Sequence, residues 1–297
     1  MDALKRFDTL ALIIVVSLIA VDADVWCVIV AQAGPHTAHE YFLDVGQGDS
    51  ELIVFPGNVK IMTDAGPGNA VVGSMQKVLP PGDHYIDIAT ISHPDSDHFA
   101  GYIDILDRYD VGAFLYNGRN GDSAAWRTLM EKIAAKHIPL ITLAAGDNIQ
   151  YEKNVINILS PDDAFVGSAE TNDTSLVEMV RVPADGGRDF RTLLTGDAPS
   201  NIEAYLMKNG ANLRADVLKV AHHGSKYASE NTFLRAVDPK VAVIGVGAKN
   251  VYGHPSKDVL ARLASSTNAA VFRTDWNGTV EIFLENDALK IRTERGD

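Results

Sequence analysis

The chain has 297 residues, 46% hydrophobic and 22% charged, an ordinary globular composition with length enough for a large core. Its formal net charge of −13 excludes a general nucleic-acid trap built on Lys and Arg contacts to phosphate, but not phosphodiester hydrolysis at bound cations. Cys27 is the one cysteine, which excludes an intrachain disulfide and a Cys-ligated zinc knuckle. Lys5 and Arg6 then precede an apolar run from Thr9 to Ala33, interrupted by Ser17, Asp22, Asp24 and Gln32. Two readings of residues 1–33 stand open. As a single-pass anchor the run is long enough to span a bilayer, with each Asp costing roughly 2.5–3.5 kcal/mol near the centre. As a signal peptide, Leu10–Val21 is the apolar region, and Val21-Asp-Ala23 and Ala31-Gln-Ala33 offer cleavage sites. The apolar residues beyond the acidic pair favour the anchor. Both readings place the rest of the chain outside the cytoplasm, because the basic residues stay inside. Residues 34–39 read as a linker with solvated His36 and His39, and residues 40–297 as one domain.

That domain opens with a β-meander: Glu40–Val45, Glu51–Phe55 and Val59–Thr63, separated by the Gly46-Gln-Gly48 and Pro56-Gly-Asn58 turns. Asn69–Leu79 has helical apolar spacing and is closed by Pro80-Pro-Gly82. Ile86–Ile91 reads as a buried strand, Phe99 to Arg108 as a helix, Val111–Tyr116 as a strand and Ser123–His137 as a helix. Leu140–Leu143, Ile149–Tyr151 and Val155–Leu159 are strands. Ser175–Val182 and Phe190–Leu194 form a hairpin about Asp185-Gly-Gly187. The alternation continues with a helix over Asn201–Lys208, a strand over Asp216–Ala221, helices near 229–236 and 256–264, and strands at 241–246, 270–273, 279–284 and 288–292. Asn277-Gly278 signals a type I′ hairpin, so Asp275–Thr279 reads as structural. The pattern by itself supports an α/β chain with mixed sheets.

The stretch His93-Pro-Asp-Ser-Asp-His98 carries most of the functional information. His93, Asp95 and Asp97 alternate, so in an extended segment they point the same way, and His98 follows directly. Two imidazoles and two carboxylates between a strand and a helix make an N/O donor set suited to Zn²⁺ or Mn²⁺. An acidic surface loop whose histidines cap the next helix is the alternative. Asp197 ends the apolar run of Leu193-Leu-Thr195, where it is either a metal bridge or a helix cap. His222 and His223 close the strand over 216–221.

Phe42-Leu-Asp-Val-Gly-Gln-Gly-Asp-Ser50, Asp64-Ala-Gly66, Ser92-His-Pro-Asp-Ser-Asp-His98, Leu194-Thr-Gly-Asp-Ala198, Asp216 to Ser225, Tyr252-Gly-His-Pro255 and Arg273 to Thr279 occur in an order that resembles the metallo-β-lactamase superfamily. Within it they resemble the soluble nuclease-like domain of ComEC-type competence proteins, over roughly residues 40–285. The resemblance implies an αββα sandwich of two mixed sheets with outer helices, holding two divalent ions, Zn²⁺ or Mn²⁺. It implies Asp197 as the bridge, with His93 and Asp95 completing one site and Asp97, His98 and His222 the other. His223 then lies behind His222 or faces substrate. A third His is usual where Asp95 stands, which makes this site richer in oxygen. Asp64 and Asp49 would support the metal ligands from behind. Asn172, in Thr171-Asn-Asp-Thr-Ser-Leu176, either orients a ligand or the attacking water, or is a turn residue. His254 is a substrate-phosphate contact or general acid, or an ordinary loop His. Lys219, at mid-strand before the His pair, could counter the carboxylates and receives no role.

The implied function is an extracytoplasmic phosphodiesterase or nuclease acting on DNA through a two-metal-activated water, with the ions about 3.5–4 Å apart. A separate DNA-uptake channel is the implied partner. A small-molecule or cell-wall phosphodiesterase is the second enzymatic reading, and a metal-stabilised binding module the non-enzymatic one.

Overall fold

The computed structural model describes residues 2–32, 35, 37–162, 164–184, 187 and 189–296; His36 and the Asp185-Gly186 half of the predicted hairpin turn lie outside them. Helix α1 (Asp2–Gln32) opens the chain, and every side chain described along it, residues 11–26, is exposed. Among the described residues no helix is long and apolar enough to cross a membrane. The segment over 1–33, expected as an anchor or signal peptide, lies in part outside the residues whose side chains are described.

The body is two sheets. The first runs through β1 (His39–Phe42), β2 (Glu51–Phe55), β3 (Val59–Thr63), β4 (Tyr85–Ile91), β5 (Asp110–Tyr116), β6 (Leu140–Thr142), β14 (Val280–Glu285) and β15 (Ala288–Thr293), in the order β15-β14-β1-β2-β3-β4-β5-β6. The second has β7 (Asn148–Tyr151), β8 (Asn154–Ser160), β9 (Val177–Val182), β10 (Phe190–Leu194), β11 (Val217–Lys219), β12 (Val241–Ile244) and β13 (Ala270–Arg273), in the order β13-β12-β11-β10-β9-β8-β7. Both are mixed. β3 to β6 are parallel in one and β10 to β13 in the other, while the flanking strands are antiparallel.

Three apolar layers hold this arrangement. Phe42, Ile53, Ile61, Val180, Leu194, Val243 and Ile282 fill the space between the sheets. On the outer face of the first sheet, α2 (Ala70–Val78), α4 (Gly101–Ile105) and α5 (Ala124–Ala135) bury Val71, Met75, Tyr102, Ile105, Trp126 and Leu129. On the other, α6 (Ser200–Lys208), α7 (Asn231–Val237) and α8 (Lys257–Ser266) bury Ile202, Leu206, Phe233, Leu234, Val259 and Leu263. Ser123 and Ser256 start α5 and α8 by accepting the Trp126 and Val259 N–H groups.

Two local expectations change. His39 is not a solvated linker residue: it lies in β1, pairs with Glu281 at 2.7 Å and stacks on Phe283. Asn277-Gly278 is not a hairpin turn. α9 (Thr274–Asn277) carries the chain from β13 in one sheet to β14 in the other, so the dipeptide ends a helical turn instead.

Glu40 and Glu178 stand in the layer between the sheets, where they accept hydrogen bonds from the Thr192 and Thr63 hydroxyls at 2.5 and 2.9 Å. Each keeps a buried Oε1 without a partner. Burial pushes both carboxyls up from 4.5 to about 7. The folded state thus binds protons that the unfolded state releases at lower pH. Stability from these groups is full below about pH 4.5 and is lost as pH rises through about 7, on the order of 3 kcal/mol for each. A Glu40→Gln, Glu178→Gln protein, neutral at every pH, should gain in melting temperature over wild type from pH 5 to pH 8. A difference that does not change with pH would show that both carboxylates ionise at no cost.

Candidate metal centre

Loops from the C-terminal ends of the parallel strands meet at one edge of the sandwich, where open α/β sheets bind ligands. Asp64 follows β3; Ser92 and His93 follow β4, and α3 (Ser96–Phe99) adds Asp97 and His98. Asp197 follows β10, His222 and His223 follow β11, and the 245–254 loop follows β12. Gly48 presses the Gly46-Gln-Gly48 turn against this edge: a Cβ there would lie 2.3 Å from the Asp97 carbonyl oxygen. That contact lets the Asp49 N–H reach the same carbonyl at 3.2 Å.

Four imidazoles surround the Asp197 carboxylate. His98 Nε2 lies 3.3 Å and His223 Nε2 3.5 Å from its Oδ1, and His222 Nε2 lies 3.6 Å from its Oδ2. The His93 ring packs 4.1 Å from that of His98. Asp97 Oδ2 is 3.3 Å from His223 Nε2, and Asp95 Oδ2 is 3.6 Å from His93 Nε2. Asp49, His98, Asp197 and His223 are all buried and offer ligand atoms within 4.8 Å of one another.

The outer edges of three rings are already engaged. His93 Nδ1 meets Ser92 Oγ at 2.9 Å, His98 Nδ1 meets the Asp64 carboxylate at 2.7 Å, and His223 Nδ1 meets the Gly245 carbonyl at 2.9 Å. The Asp64 and Gly245 oxygens can only accept, and Ser92 Oγ spends its own proton on Asp64 at 2.6 Å. Each Nδ1 is therefore the donor, which in the neutral ring leaves the lone pair on Nε2. The Nε2 atoms of His93, His98 and His223, together with Asp197 Oδ1, are buried without hydrogen-bond partners. Buried polar atoms are rarely left so, and several converging on one point fit a cation.

The electrostatics point the same way. Burial alone lowers a histidine, but Asp197 and Asp64 outweigh it and hold His98 well above its usual value, and Asp197 and Asp49 raise His223 to about 10. Burial raises Asp97 and Asp197, yet the surrounding histidines bring Asp97 down to about 2 and Asp197 well below the carboxylate range. The centre is a set of carboxylates demanding positive charge.

Backbone conformation decides which histidine of the pair points inward. His222 and His223 adopt left-handed φ/ψ of 51/46° and 52/24°, a region that costs a non-glycine residue about 1–3 kcal/mol. The tight turn is closed by His222 N–H to Gly196 O at 3.1 Å and Ser225 N–H to His222 O at 2.8 Å. It buries His223 and leaves His222 28% exposed on the opposite side of Asp197. Geometry thus puts His223, rather than the favoured His222, beside His98. Asn172 reaches His222 Nδ1 at 3.4 Å without touching the inner cluster. The His254 ring lies 5.9 Å from that of His222, at the rim.

Sequence reasoning gave Lys219 no role and overlooked Arg119 and Tyr227. Lys219, wholly buried, places its ammonium on Asp49, whose other oxygen meets His223 Nδ1 at 3.1 Å. Its position in the otherwise apolar run Val217-Leu-Lys-Val-Ala221 was the available signal. Arg119 lines a cleft of about 410 Å³ with Asp95 and Asp97, held by the Ser168 and Ala169 carbonyls. Tyr227 lines another, of about 460 Å³, with Asp95, Asn172 and His222.

Two face-to-face mixed sheets with outer helices and a His/Asp cluster at their shared edge define the metallo-β-lactamase fold, and this chain has it. The metallo-β-lactamase-fold protein YhfI of Bacillus subtilis superposes with a TM-score of 0.50 at 12% identity, over 79% of this chain and 96% of that one. CmlA, a diiron β-hydroxylase from Streptomyces venezuelae, gives 0.54 at 13%, over 84% of this chain and 54% of that one. In sequence the chain is homologous to competence proteins, as its motifs implied. ComE operon protein 3 of Bacillus subtilis (strain 168) is 29% identical over 262 residues, 82% of this chain and 33% of that protein. Competence protein ComA of Neisseria gonorrhoeae is 31% identical over 254 residues, 85% of this chain and 33% of that protein. The chain thus spans about one third of the length of these relatives. No protein-family model matches it.

Proposed function

We propose that the chain is a metal-dependent hydrolase of phosphodiesters, acting on DNA outside the cytoplasm in the setting of DNA uptake. The convergence of three unpartnered Nε2 atoms and Asp197 Oδ1 carries this reading. The competence relatives supply the setting. Asp97, His98, His223 and Asp197 would hold one divalent ion, and His93, Asp95, His222 and Asp197 a second, Zn²⁺ or Mn²⁺. Such ions supply Lewis acidity toward phosphoryl oxygens and a lowered water pKa. The protein's own part is orientation. Asp64, Ser92 and the Gly245 carbonyl fix the imidazole faces, Asp49 anchors His223 with Lys219 balancing its charge, and Asn172 positions His222. His254 is lowered by burial and by His222, so it stays neutral and can share a hydrogen bond with a substrate oxygen. The acidic body favours a second reading, a small-molecule phosphodiesterase.

Chelation should abolish hydrolysis of both DNA and a chromogenic phosphate bis-ester, and Mn²⁺ or Zn²⁺ should restore it. The same ions, at a thousandfold excess over their dissociation constant, should stabilise the fold by about 4 kcal/mol in a thermal melt. Hydrolysis of the bis-ester without DNA cleavage would move the assignment to the second reading. Absence of any metal-dependent turnover, despite a thermal shift, would leave a binding module.

A further inference from the structure

Two exposed tyrosines flank the mouth of the metal centre. Tyr252, 67% exposed, stacks on the His254 ring at 5.8 Å with 19° between planes, and His254 in turn lies 5.9 Å from His222. A ladder of three rings therefore leads outward from Asp197. Tyr227, 65% exposed, borders the cleft that contains His222, Asn172 and Asp95, with the Lys226 ammonium 5.0 Å from its ring centre.

Neither tyrosine sits on a loose loop tip. Arg262 donates to the carbonyls of Lys226, Ala228 and Ser229 at 3.0, 2.6 and 2.9 Å. Glu203, buried, accepts the N–H groups of Ser229 and Glu230 at 2.5 and 3.0 Å. Asn250 ties the other loop, donating to the Gly247 and His254 carbonyls at 2.8 Å each and accepting the His254 N–H at 2.9 Å. Large rings left in water on loops braced in this way are pre-organised for contact, because ordering cost is already met in the free protein.

We infer that Tyr252 and Tyr227 are stacking platforms for the bases of a single-stranded nucleic acid whose scissile phosphate lies at the metal centre. The inference rests on the nucleic-acid reading above and names how that substrate is held. A protein of net charge −13 gains little from the phosphate backbone away from its cations, so affinity must come from elsewhere. Stacking supplies it without regard to sequence, since every base offers a π-face and paired bases in a duplex do not. Lys226, exposed and 5.0 Å from the Tyr227 ring, gives the strand local positive charge, and Lys249 and Lys257, three and five residues from Tyr252 in the chain, are exposed as well.

The test measures binding and cleavage separately, on the full chain. Fluorescence anisotropy with a labelled single-stranded oligonucleotide reports binding, and an abasic strand of equal length is the control. Tyr252→Ala and Tyr227→Ala should each weaken oligonucleotide binding about tenfold. Tyr→Phe at either position should restore it to within about twofold, and affinity for the abasic strand should not change. Alanine variants that bind the oligonucleotide as wild type does, or that lose the abasic strand equally, would overturn the platforms. Base-dependent loss of binding in a protein that never cleaves DNA would support the platforms while refuting the nuclease reading.

Discussion

The Asp197→Asn protein should remain folded, lose its bound metal and lose on the order of 10⁴ in turnover, as do centres whose groups act as a unit. Asp197 is the carboxylate within reach of three imidazoles, those of His98, His222 and His223, and the one shared by both proposed ligand sets. Asparagine keeps its size but offers one acceptor and no charge. The loop itself is held by other bonds: Thr195 Oγ donates to the Lys219 carbonyl at 2.7 Å, and His222 N–H reaches Gly196 O. The fold therefore has no reason to fail. Asp97→Ala should resemble it in turnover, whereas Asn172→Ala, acting only through His222, should lose far less. Elemental analysis and circular dichroism of the metal-free and loaded proteins check the result. An Asp197→Asn protein with full metal content would show that the bridge has been assigned to the wrong residue.

The contrast between His222 and His223 marks the limit of what spacing alone conveys. Apolar patterning located nearly every strand and helix of the domain, because α2 and α5 bury one face each at helical spacing while β4 and β5 are short apolar runs buried on both faces. The clustering of His93, Asp95, Asp97 and His98 was equally legible, since they lie within six residues of the chain. Choosing between two neighbouring histidines needs the left-handed turn at both, which no apolar pattern encodes. Lys219 could be read as a counter-charge, but its partner was illegible for a related reason. Its partner, Asp49, lies 170 residues away, and only the sandwich brings them together. Asn277-Gly278 misled because a strong local hairpin signal was overridden by strands that pair in different sheets. Glu40 and Glu178 hide in the same way: nothing in their strands signals burial, which the Thr192 and Thr63 hydroxyls across the sandwich account for.

Asp64 should prove the most costly position behind the metal. It is 1% exposed and itself left-handed at φ 59°, a strain borne where its carboxylate accepts three hydrogen bonds: Ser92 N–H at 2.8 Å, Ser92 Oγ at 2.6 Å and His98 Nδ1 at 2.7 Å. Asp64→Ala leaves the Ser92 N–H and the His98 ring buried and unpaired, at about 1–3 kcal/mol for each neutral donor and more for a charged one. A loss of about 4 kcal/mol in the metal-free protein is the expected denaturation result. Asp64→Asn keeps an acceptor and should fold, but it turns an amide NH₂ toward one of those donors and lets the His98 ring rotate. Metal affinity should then fall 10- to 100-fold, roughly the range for groups that orient a ligand without touching the ion. Competition titration with a chromophoric chelator measures that fall. If the alanine variant is as stable as wild type, the three hydrogen bonds contribute nothing net, and His98 is held in place by packing against His93 and His223 alone.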